Sequence, residues 1–505
     1  MKIKINLYTI FLLIFSLSSL VSCESDYLET DSTADVSYET AVASAESLRA
    51  IVSGMHRDMY TRTPYGQGYS GQTGAIVLFD SMCEDLVHTG VGLNWHMSVV
   101  RWQTQGVDTS GDVAYPWRFY YKMINNANIV IDAAATATGD STIINRAVGE
   151  ALTYRAWAYL FLVQIYGQRY VAGQSNTQAG VILRLHSGNE EMARSTVEEV
   201  YTQIHNDLTA AIPLLSSYSR TNKSHFDASV AKGLQARAYL VQGNWALAAQ
   251  YAQDVIANTA GNSSSTYSLM SNAQYTSGFN DYNNSEWMWG THIQEDQTDD
   301  FGNFGAYMSR NFNSSTIRTA PKAIYVPLYK MFPSTDVRLK NFDVTGLHTS
   351  LSLPSNYTKR AYTSQKFLAV STTDSRGDVP YMRLAEMYLI AAEALARNNQ
   401  ESASKVLYKT FMQNRDTGYV QSTNTGAAYI TEVLNSRRLE LWGEGFRWFD
   451  LKRLNLPLVR NDSGSNHVST VINNVWTVPA TDNRWTLLIP INEIQNNSLC
   501  TQNPI

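Results

Sequence analysis

The run Ser229–Ile256 constrains this chain's fold more than any other stretch. Ala231, Leu234, Ala238 and Val241 recur at helical spacing on one face. Gly243-Asn244 interrupts the pattern, and Ala248, Ala249, Ala252 and Ile256 resume it. Two helices joined by so short a break fold back on one another. Alanine at the facing positions lets their axes approach closely. The unit reads as a helical hairpin of the tetratricopeptide kind, with a period of about 34 residues.

Other segments share the periodicity. Arg146–Gly167 places Ala147, Ala151, Tyr154, Ala158, Leu162 and Ile165 on one face, and Val197–Leu215 does the same with Val200, Ile204, Leu208, Ala211 and Leu215. A second hairpin is expected over Met382–Asn414. Its first stripe is Leu384, Met387, Ala391 and Ala394, and its weaker second stripe is Val406, Thr410 and Gln413. Ser47–Tyr60 and Trp117–Ala135 are further helix candidates. Between the hairpins, residues 258–380 are rich in Asn, Ser, Thr, Gly and aromatics. Within them Glu286–Gln294 alternates as a strand, with Trp287, Trp289 and Thr291 on one side, and Asp296–Thr316 reads as a long loop. The expected fold class is mostly α: tetratricopeptide-like helical hairpins form a scaffold that carries a large loop-rich irregular region and a few short strands. One domain over residues 41–505 accommodates all of it.

The N-terminus carries an address. Lys2 and Lys4 precede an uncharged run, Leu7–Val21, that is too short to span a bilayer comfortably and has the form of a secretory signal. Leu20-Val21-Ser22-Cys23 ends it as a bacterial lipobox does. Cleavage after Ser22 would leave Cys23 to carry lipid, and several acyl chains on one residue give stable membrane attachment. Residues 1–22 are thus read as a lipoprotein signal peptide, and residues 23–40 as an acidic tether. Beyond Cys23 only Cys83 and Cys500 remain, either a disulfide or two buried thiols. A net charge of -5 with no basic run gives nothing to grip nucleic acid. The histidines are scattered singly. There is no nucleophile elbow, helical His pair for a metal, or phosphate loop.

Arg437–Arg453 holds charges among aromatics. Glu440 and Glu444 lie four apart on a helix, Arg447 and Asp450 three apart, with Trp442, Phe446, Trp448 and Phe449 around them. This pattern reads as a half-buried ion-pair network that locks packing, rather than a catalytic carboxylate pair. Together with Arg383–Ala394, Leu488–Ile494 and Gln502–Pro504, it resembles the SusD/RagB family of Bacteroidetes outer-membrane lipoproteins. Leu152–Gly167, the Ser229–Ile256 hairpin and the Asp336-Val337-Arg338 segment match as well. The resemblance runs through nearly the whole chain. It implies a cell-surface protein on the outer membrane that binds an oligosaccharide, or in some branches a peptide, and delivers it to a SusC-like TonB-dependent transporter without cleaving it.

Sugar capture needs flat aromatic surfaces beside amide or imidazole groups. Two segments offer both. In Gly90–Trp102 the candidates are Asn94, Trp95 and His96, the part of the chain from which similar proteins present stacking aromatics. Trp102 is read as structural. In the Gly-rich run from Phe301 to Tyr307 the candidates are Phe301, Asn303, Phe304 and Tyr307. Glu295, Asp296, Asp299 and Asp300 have calcium-type oxygen ligands but no calcium-loop register, so no cofactor is expected. Two rival functions are a secreted glycoside hydrolase, which needs two carboxylates about 5 to 9.5 Å apart in a cleft, and a helical scaffold that holds other proteins.

Overall fold

Side-chain caps set where the long helices begin. The computed structural model describes residues 38–64, 66–257, 267–351 and 353–505. The signal peptide, Cys23 and most of the tether lie outside the described residues. Among the described residues, seven helices of eleven residues or more occupy the N-terminal half: α1 (Ala45–Asp58), α2 (Gly71–Ser81), α3 (Gly111–Ala133), α4 (Ser141–Tyr166), α5 (Val197–Leu215), α6 (Ala228–Gln242) and α7 (Trp245–Ile256). Asp140 caps α4 by accepting the Thr142 N–H, Thr196 and Glu199 form a reciprocal capping box on α5, and Asp227 and Asn244 cap α6 and α7. A short helix α8 (Phe304–Met308) follows, then α9 (Leu384–Arg397), α10 (Glu401–Arg415), α11 (Gly426–Glu440) and α12 (Arg447–Leu454).

The helices stack in chain order. α3 packs on α4, α4 on α5, α5 on α6 and α6 on α7, with α1 against α3 and α4. α7 then packs directly on α9, and α9 on α10 and α11. The segment between α7 and α9 is therefore looped out of an otherwise continuous helical stack. The facing alanines Ala231, Ala238, Ala248, Ala252, Ala391 and Ala394 are fully buried, as the hairpin pattern requires. One apolar core runs from Leu48 to Cys500. Cys83 and Cys500 are both buried and not bonded to each other.

α6 ends at Gly243, whose φ of 73° lies in the left-handed region. A Cβ there would also sit 3.1 Å from that of Ala172. Gly243→Ala should therefore cost about 1 kcal/mol, read as a lower urea midpoint with unchanged slope. An unchanged midpoint would show that the turn relaxes around a side chain.

Three sequence expectations need correction. The second stripe of the second hairpin was placed on the wrong face. Val406 is 63% exposed, whereas Ser404, Tyr408, Phe411, Met412 and Arg415 are buried. The aromatics at 408 and 411 carry far more apolar area than a valine and a threonine, and they decide the face. The expected strand Glu286–Gln294 shortens to β2 (Trp287–Gly290), buried on both sides, so its alternation marks no solvent face. The loop expected over Asp296–Thr316 contains α8, which Asn303 caps by accepting the Ala306 N–H.

The strands are short and antiparallel. β1 (Leu86–His88), β3 (Lys322–Ile324), β5 (Thr363–Ser364) and β4 (Phe342–Asp343) form one sheet in that order, and β2 pairs with β6 (Pro380–Arg383) at the foot of α9. The first sheet joins the loop after β1 to the excursion. No described helix is long and apolar enough to cross a membrane.

Candidate functional site

The two segments singled out by sequence meet at one place. Trp95, in the loop after β1, stacks on Tyr307 of α8 with ring centroids 4.6 Å apart and an interplanar angle of 20°. The Tyr307 hydroxyl donates to the Trp95 carbonyl at 3.0 Å, tying ring and backbone to the same partner. Lys322 of β3 lies beneath, its Nζ 3.9 Å from the Tyr307 ring centroid and 2.6 Å from the Asn94 Oδ1 that accepts its proton. Burial pushes the Lys322 ammonium well below the usual lysine range. Asn94 Nδ2 donates back to the carbonyls of Gly90 and Val91, at 2.7 and 2.9 Å, so this side chain shapes the loop.

His96 holds the loop from its other end. Its backbone is left-handed, with a φ of 57°. Its Nδ1 lies 2.8 Å from Asp112 Oδ1 on α3. The ring packs so closely on Gly68 that a Cβ there would fall 2.6 Å from Nε2. Tyr69, next to that glycine, stacks on Tyr115 at 4.7 Å and faces His96 at 5.8 Å. A row of rings, Tyr307, Trp95, His96 and Tyr69, thus runs across the join between α3, α8 and the β1 loop.

Not every predicted contact residue faces outward. His96, Asn303, Phe304 and Tyr307 are buried. Asn303 donates to Ser375 Oγ at 2.6 Å as well as capping α8, and Phe304 packs edge-on against Phe367. Asn303 and Tyr307 use their polar atoms within the protein, whereas His96 Nε2 has no hydrogen-bond partner among the described residues. Trp95 and Asn94 are half-buried, and Phe301 is 57% exposed against Phe312. Tyr69 and Lys322 were missed. The run Tyr65-Gly-Gln-Gly-Tyr69 was the available signal for Tyr69, an aromatic between turn glycines. Nothing marked Lys322. The acidic residues do not converge: Asp299 pairs with Arg62 at 2.8 Å, and Glu295 approaches Arg376 at 3.9 Å.

A recess of about 560 Å³ lies elsewhere, between Trp117, Tyr121, Asn128, Arg184 and Glu493. Two of its polar groups are committed internally: the Tyr121 hydroxyl donates to the Ile182 carbonyl, and the Asn128 amide to those of Arg184 and His186. That leaves fewer groups to recognise a ligand.

The charged motif proves more buried and wider than its sequence implies. Glu440 and Glu444 meet Arg383, Arg415 and Lys366, with Glu286 joining from the excursion. Arg447 and Asp450 do not pair. Asp450 is held by Arg437 at 2.8 Å and Arg453 at 2.7 Å, while Arg447 reaches Glu84 from across α2.

Asp80, on α2, is a carboxyl raised in the direction a catalytic acid would be, as are Asp85 and Asp378. Burial raises Asp80 to about 8, against the Gly445 N–H that bonds Oδ2 at 2.9 Å. It faces core, not a cleft. The native state keeps a proton that the unfolded chain releases, so stability falls as pH rises from about 4 to about 8. Asp80→Asn should match the parent's melting temperature near pH 5 and exceed it by a few degrees at pH 8. Parallel pH profiles for the two proteins would refute the assignment.

The comparisons with known proteins agree with this architecture. A family model described as starch-binding associating with outer membrane matches residues 26–240, and the SusD family model matches residues 247–505. SusD-like protein P2 of Formosa agariphila is 24% identical over 476 residues, covering 87% of this chain and 89% of that protein. A SusD-like protein of Bacteroides ovatus is 25% identical over 381 residues, 66% of this chain and 64% of that protein. A SusD-like carbohydrate-binding protein of Bacteroides vulgatus superposes with a TM-score of 0.77 at 22% identity, covering 91% of this chain and 97% of that one. A laminarin-binding SusD-like protein superposes with a TM-score of 0.68 at 21% identity, over 92% and 99%.

Proposed function

The chain belongs to the SusD family, and from that premise we propose that it captures a nutrient oligosaccharide at the cell surface and passes it, uncleaved, to a SusC-like TonB-dependent transporter. Cys23 carries the lipid that holds it on the outer membrane. The observation that carries the reading is the Trp95–Tyr307 stack. One face of Trp95 is backed by a buried ring, which presents the other as a rigid, flat apolar surface for the C–H face of a sugar. Leu93, two residues before Trp95, and Phe301, three residues before α8, are 70% and 57% exposed. Because one structural neighbour binds laminarin, β-glucan oligosaccharides are the first ligand class to try.

Against hydrolysis stands the placement of the carboxylates. Glu440 and Glu444 are consumed by arginines in the core, and Asp80 is enclosed. A fixed tether and a resident transporter raise local receptor concentration, so affinities between about 1 μM and 1 mM suffice. The test is calorimetric titration of the protein with laminarin, starch, other plant and host glycan oligosaccharides, and peptides, with each mixture then analysed for cleavage. Saturable heat with one glycan class and intact ligand is the expected result. Cleavage would overturn the binding-protein reading, and heat with peptides alone would replace the sugar.

A further inference from the structure

Three residues far apart in sequence bring donor atoms to one point on the side of the helical stack. They are His56 in the last turn of α1, Glu150 in the middle of α4 and His225 in the lead-in to α6. His56 Nε2 is 2.9 Å from Glu150 Oε2 and 2.9 Å from His225 Nδ1, and His225 Nδ1 is 3.2 Å from Glu150 Oε2. The triangle is nearly equilateral. We propose that His56, Glu150 and His225 form a binding site for a divalent transition-metal cation of the zinc type, which clamps α1, α4 and the start of α6 together.

Protons alone serve this triangle poorly. Each edge is at hydrogen-bonding length, but the carboxylate oxygen offers only lone pairs. If each imidazole donates to Oε2, two N–H groups face one another 2.9 Å apart. If one does not, its lone pair and that of the carboxylate face each other across the 2.9 or 3.2 Å edge. One cation above the centre receives a lone pair from all three. A tetrahedral zinc with ligands at about 2.0–2.1 Å sets ligand atoms about 3.3 Å apart, so each edge need open only by a few tenths of an ångström. Two histidines and a glutamate are an established donor set for that ion, with the fourth position left to water.

The surroundings prepare the donors. The Tyr154 hydroxyl lies 2.6 Å from His56 Nδ1 and fixes the ring with Nε2 toward the centre. Glu150 points Oε2 at the centre, 2.9 Å from His56 Nε2 and 3.2 Å from His225 Nδ1. Arg146 occupies the other oxygen, Oε1, at 3.1 Å and orients the carboxylate. The Phe226 N–H approaches Oε2 at 3.4 Å. His225 is only partly covered, which gives a cation a way in.

The test uses the purified full-length chain, stripped with chelator and titrated with zinc sulfate against a chromogenic competitor, with calcium and magnesium as controls. One equivalent of zinc should bind, raise the melting temperature and be reversed by EDTA. His225→Ala, at the edge of the site where 13% of the side chain is exposed, should weaken zinc by about 100-fold or more, and its metal-free melting temperature is measured beside it. Zinc-edge absorption spectroscopy should show two imidazole nitrogens and one carboxylate oxygen in the first shell. Absence of zinc binding, or stoichiometric binding that His225→Ala leaves unchanged, would overturn the site. So would a first shell with fewer than two imidazoles.

Discussion

Arg383→Ala should unfold this protein more readily than any other single change predicted here, by about 3–5 kcal/mol. Arg383 is fully buried at the junction of β6 and α9 and serves three carboxylates at once. Its Nε and Nη2 hold Glu444 at 2.8 and 2.7 Å, and its Nη1 bonds Glu440 at 2.9 Å and Glu286. Arg415 and Lys366 pair with the same acids, but neither can reach all three, so truncation leaves buried negative charge uncompensated. The total stability of a domain is typically about 5–15 kcal/mol, so the loss removes a large share of it. Arg383→Lys keeps the charge but not the planar fork, and should fall between the two. Denaturant titration reads both. A loss below about 1 kcal/mol for Arg383→Ala would mean that water or Arg415 takes over the carboxylates, and that the network does not hold the excursion to the stack. Burial alone would raise Glu444, but Arg383 and Lys366 overcome it and hold its pKa below the ordinary value. Its contribution is therefore present above the unfolded pKa and lost as pH falls through the folded one.

Periodicity made the scaffold legible. α5 spans the very residues its stripe predicted, and α6 and α7 break at the glycine that their pattern broke on. Those elements declare themselves because propensity, capping and burial all point one way. α10 misled because helical spacing alone marks a stripe through Val406, whereas the larger apolar area of Tyr408 and Phe411 on another face decides which side is buried. The site was half legible. Trp95 and Tyr307 stood out as aromatics in glycine-rich surroundings, but nothing in the sequence could show that one lies on the other, 212 positions apart. Nor could it show that the second would be buried beneath the first. The same holds for His56, Glu150 and His225. Each is an isolated histidine or acid on its own segment, and only the stacking of α1, α4 and α6 brings them together.

Trp95→Ala should raise the dissociation constant for the captured glycan by at least about 30-fold, or 2 kcal/mol, while leaving the fold intact. The size follows from what the ring does. A backed, half-buried indole presents stacking area at little conformational cost, and removing it also exposes the buried ring below to water. Trp95→Tyr should retain part of the affinity, since a smaller ring can still rest on Tyr307. Tyr307→Leu separates support from contact. The side chain is enclosed, so its loss cannot delete a direct contact, yet it removes both the stack and the hydroxyl that fixes the Trp95 carbonyl. An affinity loss in Tyr307→Leu with a near-normal melting temperature would show that the platform works by rigidity. Tyr121→Ala, in the recess beside Trp117 and Glu493, should leave binding unchanged. If Tyr121→Ala abolishes binding and Trp95→Ala does not, the ligand sits between α3 and the C-terminal segment, and the ring row at the β1 loop is packing alone.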